Sequence, residues 1–238
     1  MLKKHRWFLD ANIFVDLIVA DSIMRKILDT SPGDLISRIF NGLRERGISI
    51  VTSKKAFNEV LKVIRHYVSK KEVDIYKELL KNNVEFVDTE EKERWVEKKV
   101  KELMINLDRK DIHIIAGVIE AGARWFFTNE LALYNVAYRL VCEHQHNMAD
   151  RGIGSIATGD IASFLDNLVP LNILSHAERI AIEVCIVTDR VFKYAVERCL
   201  QCANDECRKH EMEYFEQLIR RLIPLESLLR KISNNTAK

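Results

Sequence analysis

Residues 8–18 read FLDANIFVDLI, an apolar run that is interrupted by Asp10, Asn12 and Asp16. Removing a carboxylate from water is costly unless a cation or hydrogen-bond donors compensate its charge. Asp10 therefore either ends a structural element within reach of solvent or serves a cation. The simplest alternative is that Asp10 caps the helix that follows, which is a common role for aspartate.

Composition limits the class of protein. The chain has 238 residues, of which 47% are hydrophobic and 30% charged, so it can bury a core. A net charge of +2 is too small for a protein that coats nucleic acid non-specifically, although it leaves room for a local basic groove. No apolar run reaches the roughly 18 residues of a membrane span, so no membrane association is expected. Five cysteines in helix-like sequence do not suggest a disulfide framework, and we expect a cytoplasmic protein.

Short apolar runs alternate with longer segments of helical period. The predicted strands cover residues 6–9, 48–52, 84–87, 125–128 and 153–157. The predicted helices cover residues 13–28, 34–46, 55–67, 72–82, 90–106, 112–121, 132–142 and 161–168. Strands that are separated by helices favour an α/β fold, in which a parallel sheet carries helices on both faces.

The pattern changes after Pro170. Residues 175–178 read SHAE, which is typical of a capping box, and the sequence beyond them has helical period with no strand-like run. We therefore predict two domains, an α/β domain at residues 1–169 and an all-α extension, a helical hairpin, at residues 170–238.

Four acidic residues fall where predicted strands end or helices begin. Asp10 ends the first strand, Glu59 lies on the helix after the second, Asp111 opens the helix before the fourth, and Glu130 follows the fourth. The carboxyl ends of parallel strands line one crevice, where ligands bind. Several carboxylates that converge there cannot all ionise without a compensating cation. Oxygen ligands suit Mg²⁺ or Mn²⁺.

Each of these acidic residues also has a simpler interpretation. Asp10 could cap a helix, and Asp111 could do so together with Asp108. Glu59 could be a solvated residue that pairs with nearby lysines on its own helix, and Glu130 could be a surface turn residue. The order of the four residues along the predicted strands and helices favours the shared site.

Over residues 1–168 the chain resembles the PIN-domain nucleases. The resemblance is carried by FLDAN (8–12), FNEVL (57–61), DIHIIAG (111–117), FFTNE (126–130) and the closing elements at 153–157 and 161–168. It implies a three-layer α/β/α fold with a parallel sheet of about five strands. It also implies one or two Mg²⁺ or Mn²⁺ ions, with Asp10, Glu59 and Asp111 as ligands and Asn12 and Thr128 as orienting residues.

One position departs from the family pattern. The family usually has aspartate where this chain has Glu130, so the resemblance leaves open whether Glu130 binds metal directly, through water or not at all. We include it among the candidate catalytic and metal-binding residues.

The resemblance also implies the reaction and the partners. The expected activity is metal-dependent hydrolysis of phosphodiester bonds in single-stranded or structured RNA. Independently of the resemblance, Lys54, Lys55, Arg109 and Lys110 lie near the predicted crevice and could hold the RNA backbone, the alternative being solvated helix faces. A toxin of the VapC type is one form of this expectation, although those proteins usually lack such a tail. A homodimer, or an antitoxin or other protein bound through the C-terminal helices, is a further expectation. The alternatives are a PIN-like module that binds RNA or protein without cutting, and a DNA nuclease.

Cys199, Cys202, Cys207 and His210 have spacing that could suggest zinc. On one unbroken helix, however, Cys199 and His210 would lie about 16 Å apart, too far to share an ion. We therefore expect small buried cysteines on helix faces, and no zinc site.

Overall fold

The computed structural model describes residues 5–146 and 156–201, with the backbone alone for residues 27, 145–146 and 191–201. The strands are β1 (His5–Leu9), β2 (Ile48–Ser53), β3 (Val84–Val87), β4 (Trp125–Phe127) and β5 (Ala157–Gly159). The helices are α1 (Ala11–Leu28), α2 (Asp34–Glu45), α3 (Lys54–Ile64), α4 (Lys70–Asn83), α5 (Glu90–Glu102), α6 (Ile112–Ala121), α7 (Leu131–His146), α8 (Ile161–Leu168) and α9 (His176–Gln201). A 3₁₀ turn at Arg109–Asp111 leads into α6.

The five strands form one parallel sheet in the order β3-β2-β1-β4-β5. The predicted α/β class and parallel sheet are therefore confirmed. Strand β1 is central, and its neighbours β2 and β4 are the strands that precede Glu59 and Glu130. The ends of these three strands therefore meet at one edge of the sheet.

Side chains of β1 alternate between two cores. Trp7 and Leu9 join the buried cluster that includes residues of α1, α2, α3, α4, α8 and α9. Phe8 points to the other face and joins a cluster with residues of α5, α6 and α7. This alternation is the period of an extended strand that is buried on both faces. The result is a three-layer α/β/α arrangement.

The last strand differs from the prediction. β5 covers Ala157–Gly159, whereas we predicted a strand at 153–157, of which residues 153–155 lie outside the described part of the chain. The observed position follows from pairing with β4, in which Ala157, Thr158 and Gly159 lie opposite Trp125, Phe126 and Phe127. A Cβ atom at Gly159 would lie 2.6 Å from Ser163 Cβ, so this close approach requires glycine.

Helix α9 begins with the predicted capping box. Ser175 N donates to Glu178 Oε2 over 2.8 Å, and Glu178 N donates to Ser175 Oγ over 3.2 Å. The first turns of α9 add Ala181, Ile182 and Cys185 to the core that contains residues of α1. The division at residue 169 remains a prediction.

Several predictions fall on residues outside this description. They are the second helix of the hairpin, the side chains of Cys199, Cys202, Cys207 and His210, and any partner bound to that region. Among the helices that the structure describes, none is long and apolar enough to cross a membrane.

Candidate functional site

Asp10 stands between β1 and α1, and its carboxylate is held by three donors. The side chain is 2% exposed. Oδ1 accepts from Ala11 N over 2.6 Å, so Asp10 does cap α1. Oδ2 accepts from Asn12 Nδ2 over 2.8 Å and from Thr128 Oγ1 over 2.7 Å. The capping and site interpretations are therefore compatible, since the two oxygens face different partners.

The network continues beyond Asp10 through two residues that the sequence analysis did not select, Asn129 and Asp16. Asn129 N donates to Asn12 Oδ1 over 3.1 Å, and Asn129 Nδ2 donates to Asp16 Oδ2 over 2.7 Å. Asn129 Oδ1 accepts from Ile161 N over 3.2 Å, which ties the network to the start of α8. Asn129 thus joins the ends of β1, β4 and β5.

All four predicted carboxylates line one cleft of about 580 Å³ at the carboxyl edge of the sheet. Asp10 and Asp111 are buried, whereas Glu59 and Glu130 are exposed. Glu130 N donates to Thr128 Oγ1 over 3.2 Å, which places this residue directly after the Asp10 network. The structure therefore brings the predicted residues to one edge, with two carboxylates buried and two exposed.

The electrostatics of the cleft oppose ionisation of its buried carboxylates. Burial, with a smaller contribution from the nearby Glu130 and Glu59 charges, raises the pKa of Asp10 to about 6, against the hydrogen bonds from Thr128 and Ala11. Burial also raises the pKa of Asp111, again with a contribution from Glu130. A positive charge in the cleft would favour the ionised form of both residues.

Asp111 precedes α6, but its side chain makes no capping hydrogen bond to that helix. Asp108 takes the capping role instead, since it accepts from Lys110 N over 3.2 Å at the start of the 3₁₀ turn. The carboxylate of Asp111 is 8% exposed and faces the cleft. Of the predicted Asp108–Asp111 pair, one residue caps and the other lines the candidate site.

Glu59 has a partner that the sequence analysis missed. His113 is 5% exposed, and its Nε2 lies 3.4 Å from Glu59 Oε1. Its Nδ1 lies 3.0 Å from Ser53 Oγ, which also accepts from Ala56 N. With the proton on Nε2, Nδ1 can accept from the Ser53 hydroxyl, and the Nε2–H lies near Glu59 but makes no hydrogen bond to any residue that the structure describes. The sequence signal was a single polar residue within the apolar helix α6.

The donor set of the cleft suits an oxygen-preferring divalent cation, since it consists of carboxylates with amide and hydroxyl neighbours. In the part of the chain that the structure describes, however, no three carboxylate, histidine or cysteine side chains are already grouped closely enough to hold an ion. Glu59 and Glu130 are exposed residues with long side chains that line the same cleft, so they have freedom to move toward an ion beside Asp10 or Asp111. The residue types therefore suit such an ion, and the side chains would have to move closer together to bind it.

Three of the predicted basic residues surround a smaller hollow beside the cleft. Lys55, Arg109 and Lys110 line it together with Glu59 and His113. Lys55 is paired with Glu93 at 2.6 Å, and Lys110 lies 3.9 Å from Asp108. Lys54 is exposed at the start of α3 and is not among the residues lining this hollow.

Helix α9 also contributes to the cleft, which the sequence pattern did not indicate. Asp189 and Arg190 line it, and Arg190 Nη2 lies 2.5 Å from Asp16 Oδ2. Asp16 could have been found from its spacing, since it lies four residues after Asn12 on the same face of α1.

Comparisons with known proteins add little to this geometry. No family model and no curated protein matches the chain. A solved structure of the VapBC2 complex from Rickettsia felis, bound to a DNA fragment from its promoter, contains a similar chain at 13% identity and a TM-score of 0.39. The match covers 65% of this chain and 98% of that one. A similarity this distant decides neither the family nor the activity.

Proposed function

We propose that this protein is a PIN-like, metal-dependent endoribonuclease that hydrolyses phosphodiester bonds in RNA. The observation that supports the proposal is the cleft itself, in which Asp10, Glu59, Asp111 and Glu130 lie around the carboxyl edge of a parallel sheet. Ligands bind at such edges in open α/β sheets. Because the pKa values of the two buried carboxyls are raised, a cation bound among them would favour their ionised forms.

The roles of the chain's own residues follow from their contacts. Asp10 is fixed by Asn12 and Thr128, so it would hold a cation without loss of side-chain freedom on binding. Asp111, Glu59 and Glu130 would complete the ligand set. One or two bound Mg²⁺ or Mn²⁺ ions would supply charge neutralisation at the attacked phosphate and a nucleophile at neutral pH.

The smaller hollow beside the cleft, which Lys55, Arg109 and Lys110 line, gives RNA a place to extend beyond these carboxylates. It adjoins the cleft at Glu59 and Lys110, which line both. Arg109 and Lys110 could bind phosphates there, and Lys55 could do so on leaving Glu93. Such contacts position the strand without reading its sequence.

The direct test is incubation of the purified protein with end-labelled RNA, and with DNA of the same sequence, in Mn²⁺, Mg²⁺ or EDTA. We expect internal cuts in RNA with either metal and none with EDTA. Cleavage of DNA but not RNA would replace the proposal with a DNA nuclease. Cleavage that persists in EDTA would exclude the metal-dependent mechanism.

A second candidate is a PIN-like module that binds RNA or protein without cutting. It is favoured by two observations in the described part of the chain, the exposure of Glu130 and the lack of a closely grouped set of three metal-ligand side chains. RNA that is retained but left intact in both metals would support this candidate. A homodimer or an antitoxin-like partner remains a proposal, and an adjacent small antitoxin-like reading frame would favour the toxin form.

A further inference from the structure

Arg190 of α9 is connected to Asp10 through a chain of hydrogen bonds. Its guanidinium contacts Asp16 Oδ2 at 2.5 Å, and the same oxygen accepts from Asn129 Nδ2 at 2.7 Å. Asn129 N donates to Asn12, which in turn donates to Asp10. A residue that follows Pro170 by 20 positions is thus part of the hydrogen-bond network of the cleft.

The position of Arg190 suits a ligand that comes from solvent. Its side chain is 50% exposed and lines the cleft, whereas that of Asp16 is 14% exposed. A guanidinium has five N–H donors in a planar fork, so the contact with Asp16 leaves donors for a second acceptor. Asp160 and Asp189 also lie within electrostatic range of Arg190; burial acts to raise the pKa of both carboxyls, and the Arg190 charge acts to lower it.

We propose that Arg190 binds a backbone phosphate of the RNA next to the one that is cut, an inference that rests on the proposed function. A strand whose scissile phosphate lies over Asp10 and Asp111 must carry its neighbouring phosphates past other carboxylates. Arg190 offers them a cation that matches phosphate oxygens with two parallel hydrogen bonds.

With Arg190 as a phosphate ligand, the RNA strand can extend from the smaller hollow across the cleft. The hollow with Arg109 and Lys110 meets the cleft at Glu59 and Lys110, whereas Arg190 enters beside Asp16 and Asn129. Basic side chains from the 3₁₀ turn and from α9, Lys110 and Arg190, thus both line the acidic cleft. The rival explanation is that the Asp16–Arg190 pair only ties α9 to α1.

Binding of a labelled single-stranded oligoribonucleotide in EDTA separates these explanations, because it requires neither metal nor cleavage. We expect Arg190→Gln to weaken binding roughly tenfold, as for the loss of one charged hydrogen-bonded contact. The slope of log Kd against log salt should also fall by about 0.7, the value for one phosphate contact on a single strand. Arg190→Lys should keep the slope and lose part of the affinity, because the charge remains but the fork does not.

Arg179→Gln is the matched control. Arg179 lies on the same helix and pairs with Asp166 at 2.8 Å and with Glu183 at 2.9 Å, but it does not line the cleft. It should change neither the affinity nor the salt slope. Asp16→Asn should leave RNA binding equal or tighter, since it removes a negative charge while Arg190 remains.

The outcomes distinguish this inference from the proposed function. Wild-type protein that binds no RNA would overturn both. Wild-type protein that binds RNA with the same salt slope as Arg190→Gln would overturn the role of Arg190 alone. If Arg190→Gln does not fold, Asp16→Asn and Arg190→Lys carry the test, and weaker RNA binding by Asp16→Asn would show that the pair is only a tie between helices.

Discussion

Asp10 at the N-cap of α1 and Asp21 in the middle of α1 are both buried aspartates, but they lie in different surroundings. Asp10 and Asp21 are each 2% exposed, and each accepts three hydrogen bonds. The donors to Asp10 are Ala11 N, Asn12 Nδ2 and Thr128 Oγ1, and those to Asp21 are Gly33 N, Leu35 N and Tyr76 OH. Burial raises the pKa of both carboxyls.

The difference lies in what else surrounds each carboxylate. Asp10 has two carboxylates, Glu59 and Glu130, as charged neighbours and lines the cleft, whereas Asp21 has one, Asp34. Asp21 is not among the residues that line this cleft, and two of its donors are backbone groups where the loop after α1 enters α2. Burial and hydrogen bonding alone therefore do not separate a functional carboxylate from a structural one. The two are separated by the number of neighbouring carboxylates and by whether the residue lines a cleft that is open to solvent.

The largest expected effect is the loss of RNA cleavage in Asp10→Asn. This change keeps the size of the side chain but removes the charge that would hold the ion, so the cleavage rate should fall by about a hundredfold or more. The fold should survive, because one of several mutually repelling carboxylates is removed. Initial rates and thermal unfolding check the two statements. Asp111→Asn should behave alike, and unchanged cleavage in both variants would mean that the site lies elsewhere.

Asp21→Ala should show the reverse pattern. It leaves two backbone N–H groups and the Tyr76 hydroxyl without their acceptor, and each buried unsatisfied group costs about 1–3 kcal/mol. We expect a loss of about 2–4 kcal/mol in the free energy of unfolding, measured by urea denaturation, because some of these groups will find water. The folded fraction should cut RNA at the wild-type rate. If Asp21→Ala kept its stability but lost RNA cleavage, Asp21 would have a functional role like that of Asp10.

A smaller effect, on metal affinity, is expected at His113, which lies between Ser53 and Glu59. His113→Gln places an amide near the former Nε2 and so can still reach Glu59, whereas His113→Asn places it near Nδ1 and keeps only the Ser53 contact. Residues behind metal ligands affect metal affinity or activity by roughly 10- to 100-fold. We expect about a tenfold loss of Mn²⁺ affinity in His113→Asn, and less in His113→Gln, by calorimetric titration. Equal losses in the two variants would argue that His113 only fills space.

The fold was largely predictable because apolar runs and their flanking signals are local. Strands β1 to β4 lie within about a residue of their predicted bounds, and Gly122 adopts the left-handed φ of 56° that ends α6. Strand β5 was misplaced because pairing with β4 and the close approach of Gly159 to Ser163 determine its position. Neither interaction leaves a pattern in the local sequence.

The candidate site likewise has a part that was predictable from local sequence and a part that was not. The contact among Asp10, Asn12 and Thr128 follows from adjacent parallel strands whose ends must meet. Arg190 is 174 positions from its partner Asp16, and a helical pattern alone does not indicate where a distant helix docks. Arg190 was missed because only tertiary packing brings α9 to the cleft, whereas Asp16 lies on a helix that sequence reasoning had already placed beside Asp10.

The smallest expected effect is a pH dependence of stability that belongs to Asp21. Because burial raises the pKa of Asp21 above its ordinary 3.8, the folded protein binds more protons at this site than the unfolded chain between that value and the raised pKa. The free energy of unfolding contributed by Asp21 must therefore fall as pH rises through this window, by at most about 1.4 kcal/mol per pH unit. Asp21→Asn has no such titration, so its stability deficit relative to the wild type should be largest near pH 4 and should narrow toward pH 7. Urea denaturation of both proteins at each pH, in EDTA, measures this difference. A deficit that widens with pH would mean that the three donors favour the ionised carboxylate more strongly than burial opposes it.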